Sequence, residues 1–243
     1  TVGGNFSATT DANSGVINMG TMAVDGTFTL APNSTGAVTI VNDAGLNLAA
    51  STLGGTFSGT ATTGNITDSG ALAITGTTTL VTSANDATIA LDTTTNAFTG
   101  ALTITTNDAS GTDADVTIDG GTTALIIAAS TIDGDLTLTS GHASGITDSG
   151  TVTVGGNFSA TTDANSGVIN VGTMAVDGTV GLNTNGTGAV TIVNDAGLNL
   201  AASTMGGTFS GTATTGNITD SGALAITGTT KSKHFVGLDT GCA

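Results

Sequence analysis

The sequence predicts an all-β fold, a right-handed parallel β-helix (β-solenoid) of about ten coils, each about 21–34 residues long. Three observations carry this expectation. Residues 1–78 return almost unchanged at 153–230, an offset of 152. Only seven positions differ: Met19/Val171, Phe28/Val180, Thr29/Gly181, Ala31/Asn183, Pro32/Thr184, Ser34/Gly186 and Leu53/Met205. A copy this long, with no linker between the blocks, points to a stacked array rather than to separate globules. Second, an apolar-x-Gly-x-apolar (or Thr) motif recurs from Val2, Val24, Leu53, Ile74, Phe98, Ile132, Val154, Val176, Met205 and Ile226. The mean step between these starts is roughly 25 residues, the size of one solenoid coil. Third, polar and apolar residues alternate in short runs throughout, and no stretch of 10–15 residues keeps a helical period.

Taken in chain order, the strands are expected at AVTIV, LNLAA, ALAIT, ATIAL, ALTIT, DVTID, DLTLT and TVTVG, and again in the second copy. The composition suits them: β-branched Val, Ile and Thr abound, every acidic residue is Asp, and Glu, Arg, Trp and Tyr are absent. The glycine inside each motif is expected to turn the chain between strands, because it reaches positive backbone angles without penalty. Aligning the coils on their ITDSG-type lines gives three inward columns. One holds Met22, Leu72, Val152, Met174 and Leu224; the next holds Val24, Ile74, Val154, Val176 and Ile226. The third holds Phe6, Phe28, Phe57, Phe158 and Phe209, with Val180, Leu102 and Leu136 in other coils. Ladders of like residues on adjacent strands stabilise by roughly 0.2–1 kcal/mol per pair. The right hand follows the general preference of parallel crossovers.

The domain organisation expected is one solenoid over 1–230 and a non-repeat tail over 231–243. KSKHFVGLDTGCA breaks the pattern and holds both lysines and Cys242, the single cysteine, so no disulfide forms within the chain. The sequence opens inside a repeat, whose matching copy is preceded by GITDSGTV, and so reads as part of a longer array.

Charge excludes several classes of function. A net charge of −16 with two lysines cannot build a nucleic-acid surface, and it disfavours anionic membranes. No apolar run of 18 residues occurs, and the alternating runs are too short, and too poor in Trp and Tyr, for a membrane barrel. Membrane insertion is therefore not expected.

The runs ITDSGALAITGTTTL, ANDATIALDTTTNAFTGALTIT and TIDGDLTLTSG resemble the repeats of large bacterial surface and secreted proteins. These are the filamentous-haemagglutinin-like adhesins and related β-strand-repeat proteins. The resemblance covers about Thr1 to Thr230 and implies a right-handed β-helix stalk, export across the bacterial envelope, and an extracellular or cell-surface role in adhesion or surface structure. It brings no catalytic residues with it.

Two sets of residues are candidates for binding. Aspartates are densest at Asp108, Asp113, Asp115, Asp119, Asp133 and Asp135; of these Asp113, Asp115, Asp133 and Asp135 are candidate Ca²⁺ ligands, since calcium takes several carboxylate and carbonyl oxygens. The alternative is solvated turns, in which Asp bonds its own backbone. Outward positions after the glycines give Thr27, Thr29, Thr56, Ser58, Thr77, Thr79, Thr208 and Ser210, expected to stack on one face. Such a face suits ordered water or a glycan, hence ice or carbohydrate binding; the plain alternative is that Thr simply favours exposed strands. Enzymatic chemistry is not expected: Arg is absent, His142 is isolated, and Cys242 has no base near it in sequence. The expected function is a non-enzymatic structural stalk or fibre segment. Its expected partners are further copies, end to end or in fibres or a surface layer, and a glycan or a cell surface.

Overall fold

Alternation sets the local structure. In the strand Leu136–Ser140 the inward residues are buried and the outward ones half-buried, and Phe57–Ala61, Val38–Asn42 and Thr78–Thr82 repeat the pattern. The computed structural model describes residues 1–107 and 113–234, and among them there is no helix. Asp108 and Cys242 lie outside the described residues.

The strands stack in parallel into two long ladders. The first face runs through Phe6–Thr9, Thr27–Ala31, Leu46–Leu48, Ile66–Asp68, Ile89–Leu91, Val116–Asp119, Leu136–Ser140, Phe158–Thr162, Thr179–Thr184, Leu198–Leu200 and Ile218–Asp220. The second runs through Ile17–Met22, Val38–Asn42, Phe57–Ala61, Thr78–Thr82, Leu102–Thr105, Leu125–Ile127, Ile146–Asp148, Ile169–Val176, Val190–Asn194, Phe209–Ala213 and Thr230–His234. One strand from each ladder makes a coil, numbered 1 to 11 in this order. The solenoid thus has eleven turns, against about ten expected. Coils are also shorter than expected: Val38 already pairs with Phe57, and the longest step runs only from Ile89 to Val116. The last strand, Thr230–His234, pairs with Phe209–Ala213, so the solenoid runs past the boundary expected at residue 230.

The miscount has a physical reason. Coils 3 to 7, 10 and 11 are built from a longer strand facing two short strands joined at a corner, whereas coils 1, 2, 8 and 9 have a single longer strand on each face. In coils 3, 4 and 5 the short strands come first (Leu46–Leu48 then Ser51–Leu53 in coil 3), and the long strand lies on the second face. In coils 6 and 7 the long strand lies on the first face and the short pair on the second, as in Ile146–Asp148 and Val152–Val154; coil 8 runs that pair together as Ile169–Val176. Coils 10 and 11 return to the first arrangement, with Ser203–Met205 and Leu224–Ile226 as the extra short strands. The repeated motif therefore slips half a turn. A short step between motifs, such as Leu53 to Ile74, is one coil, and those two residues are register partners. The long steps, Val24 to Leu53, Phe98 to Ile132 and Val176 to Met205, are each a coil and a half.

The slip corrects the expected columns. The named apolar positions from Val24 to Val176 and from Phe28 to Phe209 do face inward and are buried. Towards the ends of the rod Phe6, Met22 and Ile226 are only partly buried, and Leu224 is exposed. The positions do not share one column. Val24 pairs with Val2, and Ile132, Val154 and Val176 stack together, on the second-face side. Leu53, Ile74 and Phe98 form a separate three-stranded sheet, and Met205 with Ile226 joins the first face. Phe6, Phe28 and Phe158 lie on the first face, but Phe57 and Phe209 on the second. Even the identical ITDSG run is divided: Ile66–Asp68 is on the first face and Ile146–Asp148 on the second.

Packing is continuous across these changes. On the first face Leu46, Ile66, Ile89, Val116, Leu136, Phe158 and Val180 form one buried ladder. The rings of Phe6 and Phe28 pack at a tilt of 60° with centroids 5.7 Å apart. Glycine matters at the corners for closeness rather than for backbone angle, contrary to expectation. A Cβ on Gly76 would lie 2.6 Å from the amide nitrogen of Thr56, and one on Gly156 2.7 Å from the carbonyl carbon of Gly134, so coils approach there only without a side chain. Among glycines of the described residues, positive φ occurs at Gly121, Gly145 and Gly186, all in other turns.

Several of the buried polar side chains sit where the coil changes phase. Asn42 ends the long strand of coil 2. Its Oδ1 accepts from the Val24 amide (2.9 Å), and its Nδ2 donates to the Val24 carbonyl (2.9 Å) and the Gly45 carbonyl (2.6 Å). The carboxamide stands in for a strand that the next coil does not provide. Asn194 does the same for Val176 and Gly197. One corner further on, the hydroxyls of Ser51 and Ser203 accept from the amides of Leu30 and Leu182. At the reverse change, between coils 5 and 6, Ser130 accepts from Ile104, Thr123 from Phe98, and Thr106 from Asp133.

Candidate functional site

The outward faces are columns of small polar residues held in register by backbone pairing. The eight threonines and serines expected on one face are divided between two. Thr27 and Thr29 lie on the first face, where Thr29 pairs with Ser7 and Thr27 with Asn47. Ser58, Thr79 and Ser210 lie on the second: Thr39, Ser58, Thr79 and Thr103 form one run, and Thr191 with Ser210 another. Thr56, Thr77 and Thr208 precede those second-face strands. The half-turn slip is the reason, since it carries the motif from one face to the other. A second series stands on the first face: Thr117, Thr137 and Ser159, beside Thr139 and Thr161; Thr137 and Ser159 were expected on the same single face as Thr27 and Ser58, and Thr117, Thr139 and Thr161 were missed. Its signal is the x-Thr-x alternation of DVTID and DLTLT.

The candidate calcium ligands are placed by corners. Asp115 Oδ1 accepts from the Asp135 amide (2.8 Å), and Asp135 Oδ1 from the Asn157 amide (2.6 Å). Asn157 Oδ1 in turn accepts from the Thr179 amide (2.8 Å), so one side chain per coil caps the next coil at this corner. Asp133 is buried, with its amide bonded to Thr106. Asp113 belongs to a different contact. Its hydrogen bond with Asp86 raises the Asp86 carboxyl above the ordinary 3.8, helped by desolvation and by the charges of Asp113 and Asp133. The four aspartates are thus split between two environments. Among the described residues, no group of three or more His, Cys, Asp or Glu is placed to hold a metal ion.

Other aspartates also serve turns. Asp148 accepts from Gly172 N (2.9 Å), Thr173 N (2.5 Å) and the Thr173 hydroxyl (2.6 Å); Asp68 accepts from Asn96 Nδ2 at 2.7 Å. Burial raises the Asp119 carboxyl, partly opposed by its hydrogen bond from the Gly121 amide, with Asp163, Asp92 and Asp68 adding repulsion. His142 Nδ1 accepts from the Ser144 amide, a local turn contact. No helix among the described residues is long and apolar enough to cross a membrane.

Comparison with known proteins agrees with this repeat geometry. No curated protein and no solved structure matches the chain. A family described as repeats of unknown function (DUF5649) matches residues 35–105, 113–169 and 187–233, which is more than half of the chain. Parallel coils in register and those three matched segments lead to one assignment: the chain belongs to the DUF5649 repeat family.

Proposed function

We propose that this chain is a non-enzymatic structural segment, a stalk or fibre section of a large bacterial cell-surface or secreted adhesin. The repeat solenoid supports the structural part; adhesion and an extracellular location rest on the resemblance of the repeats. One observation carries the reading. On the first face and its corner, the edge of coil 11 from Asn217 to Thr230 repeats coil 4 from Asn65 to Thr78, where coil 5 covers it through the pairing of Ile66 with Ile89 and a bond from the Thr88 amide to Asn65 Oδ1 (3.0 Å); only the second-face strand differs, TKSKH against TTLVT. A coil of this design accepts another without new chemistry, so length is set by repeat number. Appending a second copy of residues 79–230 after Thr230 tests this. It adds seven coils, and at about 4.8 Å each the maximum dimension in X-ray scattering grows by about 34 Å. An unchanged dimension, or two bodies joined by a hinge, overturns it. Electron micrographs of the unaltered chain that show fibres growing with concentration support end-to-end association as its mode of assembly.

A second reading is favoured by the column Thr39, Ser58, Thr79 and Thr103, whose hydroxyls repeat at the strand spacing. This face binds ice or a carbohydrate surface. Thermal hysteresis lost on Thr79→Tyr supports it, and no hysteresis and no glycan binding in the unaltered chain overturns it.

A further inference from the structure

Two notches open on the rod where the coil changes phase. One, of about 300 Å³, is lined by Val24, Asp25, Gly45, Leu46, Asn47 and Asn65. The other, of about 410 Å³, is lined by Val176, Asp177, Gly197, Leu198, Asn199 and Asn217. They are one site present twice, once in each copy of the repeat, and none of the seven differing positions lines either. The cause is the half-turn slip. The corner at Val24–Asp25–Gly26 is tied to the next coil by the Asn42 carboxamide, and the chain then turns tightly at Gly45, which leaves a step.

The chemistry of the step is that of an acceptor. Asp25 and Asp177 are exposed carboxylates. Oδ1 of Asn47 and Oδ1 of Asn199 are covered by protein and have no hydrogen-bond partner, the same orphan in both notches. The Asn65 carbonyl accepts from Leu46 (2.8 Å) and its Oδ1 from Thr88. Aromatic rings are missing from both linings, so a sugar face has no stacking partner. On a chain of net charge −16, an acceptor-rich recess selects a compact cationic donor. An ammonium offers three donors and no acceptor.

We infer that each notch binds a primary ammonium group, the chemistry shared by a lysine side chain and a free amine. The Asp25 or Asp177 carboxylate pairs with the cation, and the Asn47 or Asn199 carboxamide turns its orphan oxygen outward to take a second N–H. The sites lie seven coils apart, about 34 Å along the rod, so a partner carrying two such groups gains avidity. This goes beyond the stalk reading and does not rest on it.

The test is a titration of the ¹⁵N-labelled full chain with n-butylammonium, followed by NMR. The side-chain amide signals of Asn47 and Asn199 shift together and saturate in the millimolar range. Asp25→Asn abolishes the shift at Asn47 and leaves that at Asn199, which also shows that the variant is folded; Asp177→Asn does the reverse. Nα-acetyl-lysine methylamide separates the sources: tighter binding than butylammonium assigns a peptide lysine, and equal binding assigns the amine alone. Equal shifts at asparagines elsewhere, such as Asn18 and Asn170, overturn the assignment. So does an Asn47 shift that survives Asp25→Asn, the same shift produced by neutral methyl glucoside, or no shift at all.

Discussion

Thr78 occupies an inward position between Phe57 and Leu102, and its hydroxyl is buried without a hydrogen-bond partner. An orphaned hydroxyl costs about 1–3 kcal/mol. Thr78→Val is therefore expected to raise the unfolding free energy by about 1 kcal/mol, read as a higher urea midpoint at unchanged slope. Ser34 stands at φ 51°, and its counterpart in the second copy is Gly186 at φ 57°. Ser34→Gly relieves left-handed strain that the second copy has already shed, and is expected to stabilise by about 0.5–1 kcal/mol in the same assay. Asp119 adds a pH dependence. Its raised folded-state value means that the folded chain holds this proton more tightly than the unfolded one. That contribution is complete below the ordinary 3.8 and is lost as pH rises through the higher folded value. Asp119→Asn is expected to flatten this part of the stability-against-pH curve above the ordinary 3.8. A curve of unchanged shape would show that the carboxyl is not desolvated.

At the scale of the element, the short side chains at the phase changes are the structural decision points. Asn42→Leu removes three hydrogen bonds and leaves the Val24 amide and the carbonyls of Val24 and Gly45 unpaired. The expected loss is about 3 kcal/mol or more, against about 0.5 kcal/mol for Thr39→Ala on the outward side of the same strand, both by chemical denaturation. A loss at Asn42 no larger than at Thr39 would mean that the carboxamide does not replace a strand. Strand content and the inward side of each strand were legible in the sequence, because alternation is a property of neighbouring residues. The face on which a strand sits was not. ITDSG at Ile66 and at Ile146 is the same run on opposite sides, because a long strand and a pair of short ones span the coil equally well either way round. Only pairing with the preceding coil decides between them. The long steps from Val24 to Leu53 and from Phe98 to Ile132 record the slip, but coil length is visible only once the pairing is known. The notches went unseen for the same reason: Asp25 and Asn47 belong to successive coils, well separated in sequence, and each is ordinary in itself.

The whole molecule is a rod of eleven coils, roughly 50 Å long at about 4.8 Å per coil, whose repeat slips by half a turn while its lining stays continuous. Each coil touches its neighbours alone, which suits a chain whose length varies by duplication. Cysteine pairs test this most directly, in a Cys242→Ser background. Ser58 and Thr79 are register partners on the second face, and side chains at that strand spacing are within disulfide range. Thr29, one motif before Ser58 in sequence, lies on the first face. The double variant Ser58→Cys/Thr79→Cys is expected to form an intramolecular disulfide quickly under mild oxidation, and Thr29→Cys/Ser58→Cys is expected not to. Equal rates of closure for the two pairs, measured by mass spectrometry, would place all the motifs in one column and contradict the half-turn slip.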